Sequence, residues 1–191
     1  MIGNDFSNLT GKILIATPFA MEGNIFHESL IYVVKHTAEG SIGFIINHPI
    51  QNAPTDNMFK KIDKNIDVSE MNLEINIGGP VEVERGFFLH SAEYNHNLLF
   101  LTPESNLAIS SNAEILRDIA GAKGPERSMF IIGYTGWSPG QMEFELENNL
   151  WIIAEPNHDL IFSGDPDKKW SKALGMAGVA THDFVPLVAN C

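Results

Sequence analysis

Cysteine is nearly missing: one residue, Cys191, stands at the last position of a 191-residue chain. An intrachain disulfide or a metal site built on several cysteines is therefore excluded, and the composition fits a reducing compartment. A thiol at a chain end is also poorly placed for catalysis, because termini are seldom held in one geometry. Cations are scarce as well, with 12 Lys and Arg against 24 Asp and Glu and a formal net charge of -12. A field of that sign repels phosphate backbones, and the basic doublets Lys60-Lys61 and Lys168-Lys169 form no stripe, so direct nucleic-acid binding is disfavoured. Long apolar runs are absent too. Leu30 to Val34 is strand-sized, far short of the ~20 residues that span a bilayer, and Met1 to Phe6 lacks a leader pattern. A cytoplasmic protein without membrane contact is expected. Neither nucleotide-binding glycine spacing nor histidine pairs at metal-binding helical spacing occur, so no cofactor and no metal are expected.

What is present suffices for one domain over 1–191, since 44% hydrophobic with 19% charged residues can bury a core. Lys12 to Ala16 reads as the first strand, stopped by Pro18. Leu30 to Lys35 and Ser41 to Asn47 read as buried strands of a hairpin turning at Glu39-Gly40. Gln51 to Asn72 is polar, with one surface helix around Asp56 to Lys61. Leu73 to Ile77 is a strand that reaches Gly78-Gly79-Pro80-Val81. There the glycines turn the chain, and Pro80 opens a short helix with Glu82 and Glu84 in its first turn. Gly86 to Ser91 and Leu98 to Thr102 are further strands. A capping box at Ser111 to Glu114 starts a helix with Ile115, Leu116, Ile119 and Ala120 on one face and Gly121 at its end. Met129 to Tyr134 and Leu150 to Ala154 complete the strands. Asp165-Pro166 caps a last helix, on which Trp170 and Leu174 share a face and which Gly175 ends. Paired strands with helices interspersed, not strictly alternating, argue for an α+β fold.

The densest stretch is Gly133 to Glu143. Gly136-Trp137-Ser138-Pro139-Gly140 matches the G-x-S-x-G of a hydrolase elbow, but Pro139 has no N–H to offer an oxyanion. Ser138 is instead expected to cap a helix that Pro139 begins, with Gln141 closing a capping box and Trp137 displayed at the corner. Met142, Leu146 and Leu150 would face inward, and Glu143, Glu145 and Glu147 outward to solvent. His36, His48 and His90 end strands, where hydrogen bonding is commoner than metal ligation. Gly78-Gly79-Pro80 could present N–H groups to an anion, yet reads as a plain turn. Arg85 is expected to pair with Glu82 or Glu84.

Together these blocks resemble the YqgE/AlgH family of bacterial proteins. The resemblance rests on Leu9 to Pro18, Phe26 to His36, Gly43 to Pro49 with Asn47, Gly78-Gly79-Pro80-Val81, Arg85-Gly86-Phe87 with Leu89-His90, Gly133 to Glu143, Trp151 and Trp170. Gly23-Asn24 departs from the Asp-Pro usual in the family. The resemblance implies a bifurcated mixed β-sheet that includes a small barrel and is surrounded by helices, in a cytosolic protein without a settled activity. Some members carry a transcriptional-regulator label, which the acidic charge makes indirect here. The favoured reading is a non-enzymatic binding or regulatory domain, with a protein or small ligand docking near Tyr134, Trp137 and Gln141. The alternative is an enzyme whose site lies between strands near His90, Asn47 and Arg85. A third reading gives the glycines and tryptophans a purely structural role.

Overall fold

Ile13 and Ile15 point into one apolar cluster and Leu14 and Ala16 into another, and all four are buried. A period of two with both faces covered identifies a strand sandwiched between two layers. The computed structural model describes residues 8–18, 23–51, 59–60, 63–64, 66, 73–162 and 165–179. Its strands are β1 (Ile13–Ala16), β2 (Leu30–Thr37), β3 (Gly40–Ile45), β4 (Ile75–Ile77), β5 (Val81–Ser91), β6 (Phe100–Thr102), β7 (Leu107–Ser110), β8 (Ser128–Trp137) and β9 (Trp151–Ala154). The helices among the described residues are α1 (Ala113–Ala120), α2 (Gln141–Glu147), α3 (His158–Phe162) and α4 (Pro166–Met176), with a 3-10 turn at Pro103–Ser105. The strands form a single sheet in the order β6-β7-β5-β8-β3-β2-β1-β9. All neighbours on that path are antiparallel, and β4 adds to β8 in parallel. The α+β class and the mixed sheet are as expected. No described helix is long and apolar enough to cross a membrane.

The sheet forks at β8. Thr135 to Trp137 pair with Gly43 to Ser41 of β3, whereas Phe130 to Ile132 pair with β4. Gly78 sits at the fork, donating to Ile132 O at 2.8 Å and accepting from Ile45 N at 2.9 Å. Three residues later Val81 pairs with Tyr134 on the opposite side of β8, where the rest of β5 also lies. The chain must therefore cross β8 between Gly78 and Val81, backbone on backbone. A Cβ on Gly133, whose φ is +69°, would lie 2.7 Å from Gly79 O and 2.9 Å from Val81 O. Pro80 does not open a helix, because this crossing delivers the chain straight into β5. Between Val81 and Gly86 the register slips, so Glu82 to Arg85 stand opposite Gly133 alone and form an exposed arm.

The sheet curls until the turn after β6 touches β2. The Tyr32 hydroxyl lies 2.5 Å from Thr102 Oγ1 and 2.6 Å from Ser105 Oγ. Inside the curl, residues such as Phe44, Phe87, Leu107 and Ile131 meet Leu160, Ile161, Trp170 and Leu174 from α3 and α4. The strand path nonetheless ends at β6 and β9 without closing. The small barrel implied by the resemblance is thus an open trough, filled from its gap by helices. On the outer surface α2 covers β1 to β3 through Met142 and Leu146, and full burial of each such side chain contributes about 1.5–3 kcal/mol. Elsewhere α1 covers β5 and β8 through Ile115 and Leu116.

Local signals set some element boundaries and not others. Asn112, not Ser111, caps α1, accepting from Glu114 N at 3.0 Å and Ile115 N at 3.2 Å. Asp165 caps α4 as expected, and Gly121 ends α1, while α4 runs one residue past Gly175. β7 has no counterpart in the sequence reading; it begins only because Asn106 adopts a φ of +53° after the 3-10 turn. The helix expected over 56–61 lies, apart from Phe59 and Lys60, outside the described residues.

The crossing yields a stability prediction. Gly133→Ala should lower the unfolding free energy by at least ~2 kcal/mol more than Gly140→Ala, measured by urea denaturation. Both positions have positive φ, +69° and +75°, but a Cβ at Gly140 meets nothing within 4 Å. Equal losses would mean that the crossing tolerates a side chain.

Candidate functional site

The corner after β8 is held by a carboxylate. Glu145 Oε2 accepts from Trp137 Nε1 at 2.8 Å and from Trp151 Nε1 at 2.7 Å, and Glu145 Oε1 accepts from Gln141 Nε2 at 2.8 Å. The two indoles pack edge to face, their centroids 6.4 Å apart. Trp137 is 6% exposed, so it is not displayed as expected: its ring belongs to the layer under α2. Glu145 does not face solvent either, because two buried indole N–H groups require an acceptor. A sequence signal was available, since Gln141 and Glu145 lie four apart on one helix face. Nor is Glu143 a free surface carboxylate. It lies 3.1 Å from His36 Nε2, while His36 Nδ1 accepts from Leu9 N at 3.0 Å. That second bond fixes the neutral tautomer, with Nε2–H donating to Glu143. At the corner itself Gly140 precedes α2, and Ser138 supplies no side-chain cap; Gln141 Oε1 accepts from Ser138 N at 3.0 Å, the half of the capping box that does form.

Beside this corner a groove of about 440 Å³ opens, lined by Lys35, Thr37, Gly40, Ile42, Val81, Tyr134, Gly136, Trp137 and Ser138, with Glu39 and Ser41 at its hairpin end. Lys35 pairs with Ile42 and Ile42 with Gly136, so the three share one face of the sheet. A Cβ at Gly136 would meet nothing closer than 3.8 Å, and that part of the floor is bare. Tyr134 closes one wall and donates to Glu82 Oε1 at 3.3 Å. Burial, with the negative charge of Glu82 adding to it, raises the Tyr134 phenol above its ordinary 10.0. Glu82 also takes Arg85 Nη1 at 3.0 Å, the pairing expected from the sequence, and Arg85 lies over the Phe87 ring.

The structure thus brings Tyr134 and Trp137 to one groove, and joins Gln141 to Trp137 through Glu145 and Arg85 to Tyr134 through Glu82. It does not bring His90 or Asn47 there. His90 is fully buried, with Nδ1–H donating to Ser91 O at 3.0 Å and Nε2 accepting from Ser110 at 3.0 Å. Burial lowers its pKa below the ordinary 6.5, which keeps the imidazole neutral. Asn47 clips two backbone segments, accepting from Leu30 N at 2.7 Å and donating to Glu28 O at 2.9 Å. At the same end of the sheet lies Lys169, half of a basic doublet in the sequence. Lys169 has a side chain 1% exposed, and its ammonium meets Ile161 O at 3.0 Å, Ile46 O at 3.4 Å and Glu74 at 3.5 Å.

Two measurements follow from these bonds. Glu145→Ala strands both indole N–H groups and should cost about 2–4 kcal/mol in urea denaturation, whereas Glu145→Gln keeps one oxygen for them and should cost less. Equal losses would remove the indoles from the account. For Lys169, burial lowers the ammonium below its ordinary 10.5, partly opposed by Glu74. The unfolded chain then binds more protons as pH approaches 10.5 from below, so this residue's contribution to stability rises with pH in that window. Subtracting the Lys169→Met profile of urea midpoint against pH from that of the natural chain should leave this alkaline rise; a flat difference would refute it.

Comparison with known proteins agrees with the architecture. Residues 13–182 match a family model described as AlgH-like. A UPF0301 protein of Rickettsia felis is 48% identical over 185 residues, covering 97% of each chain, and one of Rickettsia typhi is 46% identical over the same span. Among solved structures, the solution structure of the AlgH protein of Pseudomonas aeruginosa covers 100% of both chains at 28% identity with a TM-score of 0.76. A Corynebacterium diphtheriae protein shares the fold at 19% identity, with a TM-score of 0.68 over 87% of this chain and 85% of its own. The residue blocks that resembled the family, the forked sheet and these matches all agree: the chain belongs to the AlgH-like family.

Proposed function

We propose that the protein is a non-catalytic docking domain that binds a protein or small-ligand partner in the groove lined by Tyr134, Gly136 and Ser138. The observation that supports this reading is the groove itself, of ordinary ligand-site size and carrying a bare glycine floor, one aromatic wall and an exposed lysine. The groups that motivated the enzyme alternative are engaged elsewhere. His90 is sealed between Ser91 and Ser110, Asn47 is spent on backbone, and Arg85 is tied to Glu82. A transcriptional role, in this reading, runs through a partner protein, because a net charge of -12 opposes direct contact with DNA. A cytoplasmic setting belongs to the same reading, since the cysteine usage fits a reducing compartment.

Photo-crosslinking tests it. A photoreactive amino acid at Ser138 should give a defined adduct in cells, absent when the same group stands at Lys172 on the exposed surface of α4. Gly136→Leu, which fills the floor without straining the backbone, should abolish that adduct. Adducts that are equal from both positions, or that survive Gly136→Leu, would reject the groove as the docking surface.

A further inference from the structure

The open side of β8 has a feature that identifies the kind of partner. Ile46 N, just past the end of β3, bonds to Leu30 O of β2, whereas Ile45 N bonds to Gly78 O on the other side. Successive strand residues direct their N–H and C=O groups to opposite sides. Gly43 and Ser41 therefore face β8, where they pair with Thr135 and Trp137. The N–H and C=O of the intervening Gly136 point away from β3, to the side where Val81 pairs with Tyr134. There β5 has already ended, because its chain left through Gly79 to cross β8. Among the described residues no strand stands beside Gly136 on that side, and the residue is exposed. The groove crosses from the β2–β3 hairpin and reaches this unpaired edge at Gly136, Tyr134 and Val81.

We infer that the groove takes an extended peptide segment of a partner protein as an added strand, with one glutamate side chain laid across Gly136 toward Lys35. The inference rests on the docking reading above and names its partner. An added strand would satisfy both main-chain groups of Gly136, the usual source of affinity when a strand joins a sheet edge. Its residue opposite Gly136 would share that face, and because Gly136 has no side chain, the incoming one lies flat over the floor against Ile42. Next across the sheet stands Lys35, exposed and without an ion-pair partner among the described residues. Three strand spacings, about 14 Å, separate the added strand from β2. Only a glutamate and a lysine that both extend along the sheet reach across that distance, and an aspartate is one methylene shorter. Glu39 at the hairpin end and Glu82 beyond Tyr134 oppose a second acidic residue on either flank.

The probes are four pools of acetylated, amidated, fluorescein-labelled hexapeptides with Glu, Asp, Gln or Lys fixed at the third position, titrated onto the full chain by fluorescence anisotropy. The Glu pool should bind about threefold more tightly than the Gln pool, the scale of an exposed ion pair. Gly136→Leu should abolish binding, and Lys35→Glu should transfer the preference to the Lys pool. Circular dichroism checks that both variants fold. Equal binding of all pools that Gly136→Leu still blocks would overturn the glutamate and leave the docking reading intact. No binding by any pool, with the Ser138 adduct persisting, would overturn strand addition alone. Binding unaffected by Gly136→Leu would overturn both.

Discussion

One backbone crossing sets the rest of the molecule. Where residues 78 and 79 pass over Gly133 and Tyr134, two main chains come closer than any pair of side-chain-bearing residues could, with Gly133 at a φ of +69°. This contact lets a single strand, β8, hold β4 and β3 on one side and β5 on the other. Remove it, and β4 has no path to β5 across the sheet. The fork and the exposed arm of Glu82 to Arg85 both depend on that passage. Several kcal/mol of steric strain would attend a Cβ at this point, a large share of the 5–15 kcal/mol by which domains are stable.

A second constraint fixes the corner beyond the crossing. Trp137 and Trp151 must bury their rings to seal the layer beneath α2, and burial obliges their N–H groups to find an acceptor. Glu145 meets both demands with one oxygen and uses the other to take the Gln141 amide. The carboxylate therefore orients the helix against the end of β8, so that Ser138 and Gly136 stay at the surface while Trp137 is held below it. Groove and corner are two sides of one arrangement.

Much of this was legible in the chain, and what was missed has a common cause. Strands such as β1, β2 and β3 announced themselves because both their faces are apolar, and the Asp165-Pro166 start of α4 is a purely local signal. Local rules favour a helix start at Gly78-Gly79-Pro80, because proline suits that position; a strand about 55 residues away decides the matter instead, and no window on the sequence contains both. Glu145 looked like a solvated helix residue because its partners come from β8 and β9. Lys169 passed for half of a surface doublet because its acceptors, Ile46 O and Ile161 O, are main-chain atoms that composition cannot reveal. Tyr134 and Arg85 lie near the groove, whereas the side chains of His90 and Asn47 are buried and engaged within the chain.

The glycines of the corner separate into two kinds, and the separation bears on function. Gly133 is required by the fold: its φ is positive and a side chain would strike Gly79 and Val81. Gly136, three residues on, has neither excuse. Its φ is ordinary, and the nearest atoms to a Cβ there are 3.8 Å and 3.9 Å away. A glycine inside a strand weakens it and commonly marks a place where another backbone or a ligand approaches closely. Packing among the described residues offers no such approach at Gly136, on the side where the crossing has removed β5. The residue the fold does not need to be glycine is the one whose bareness a docked strand would use.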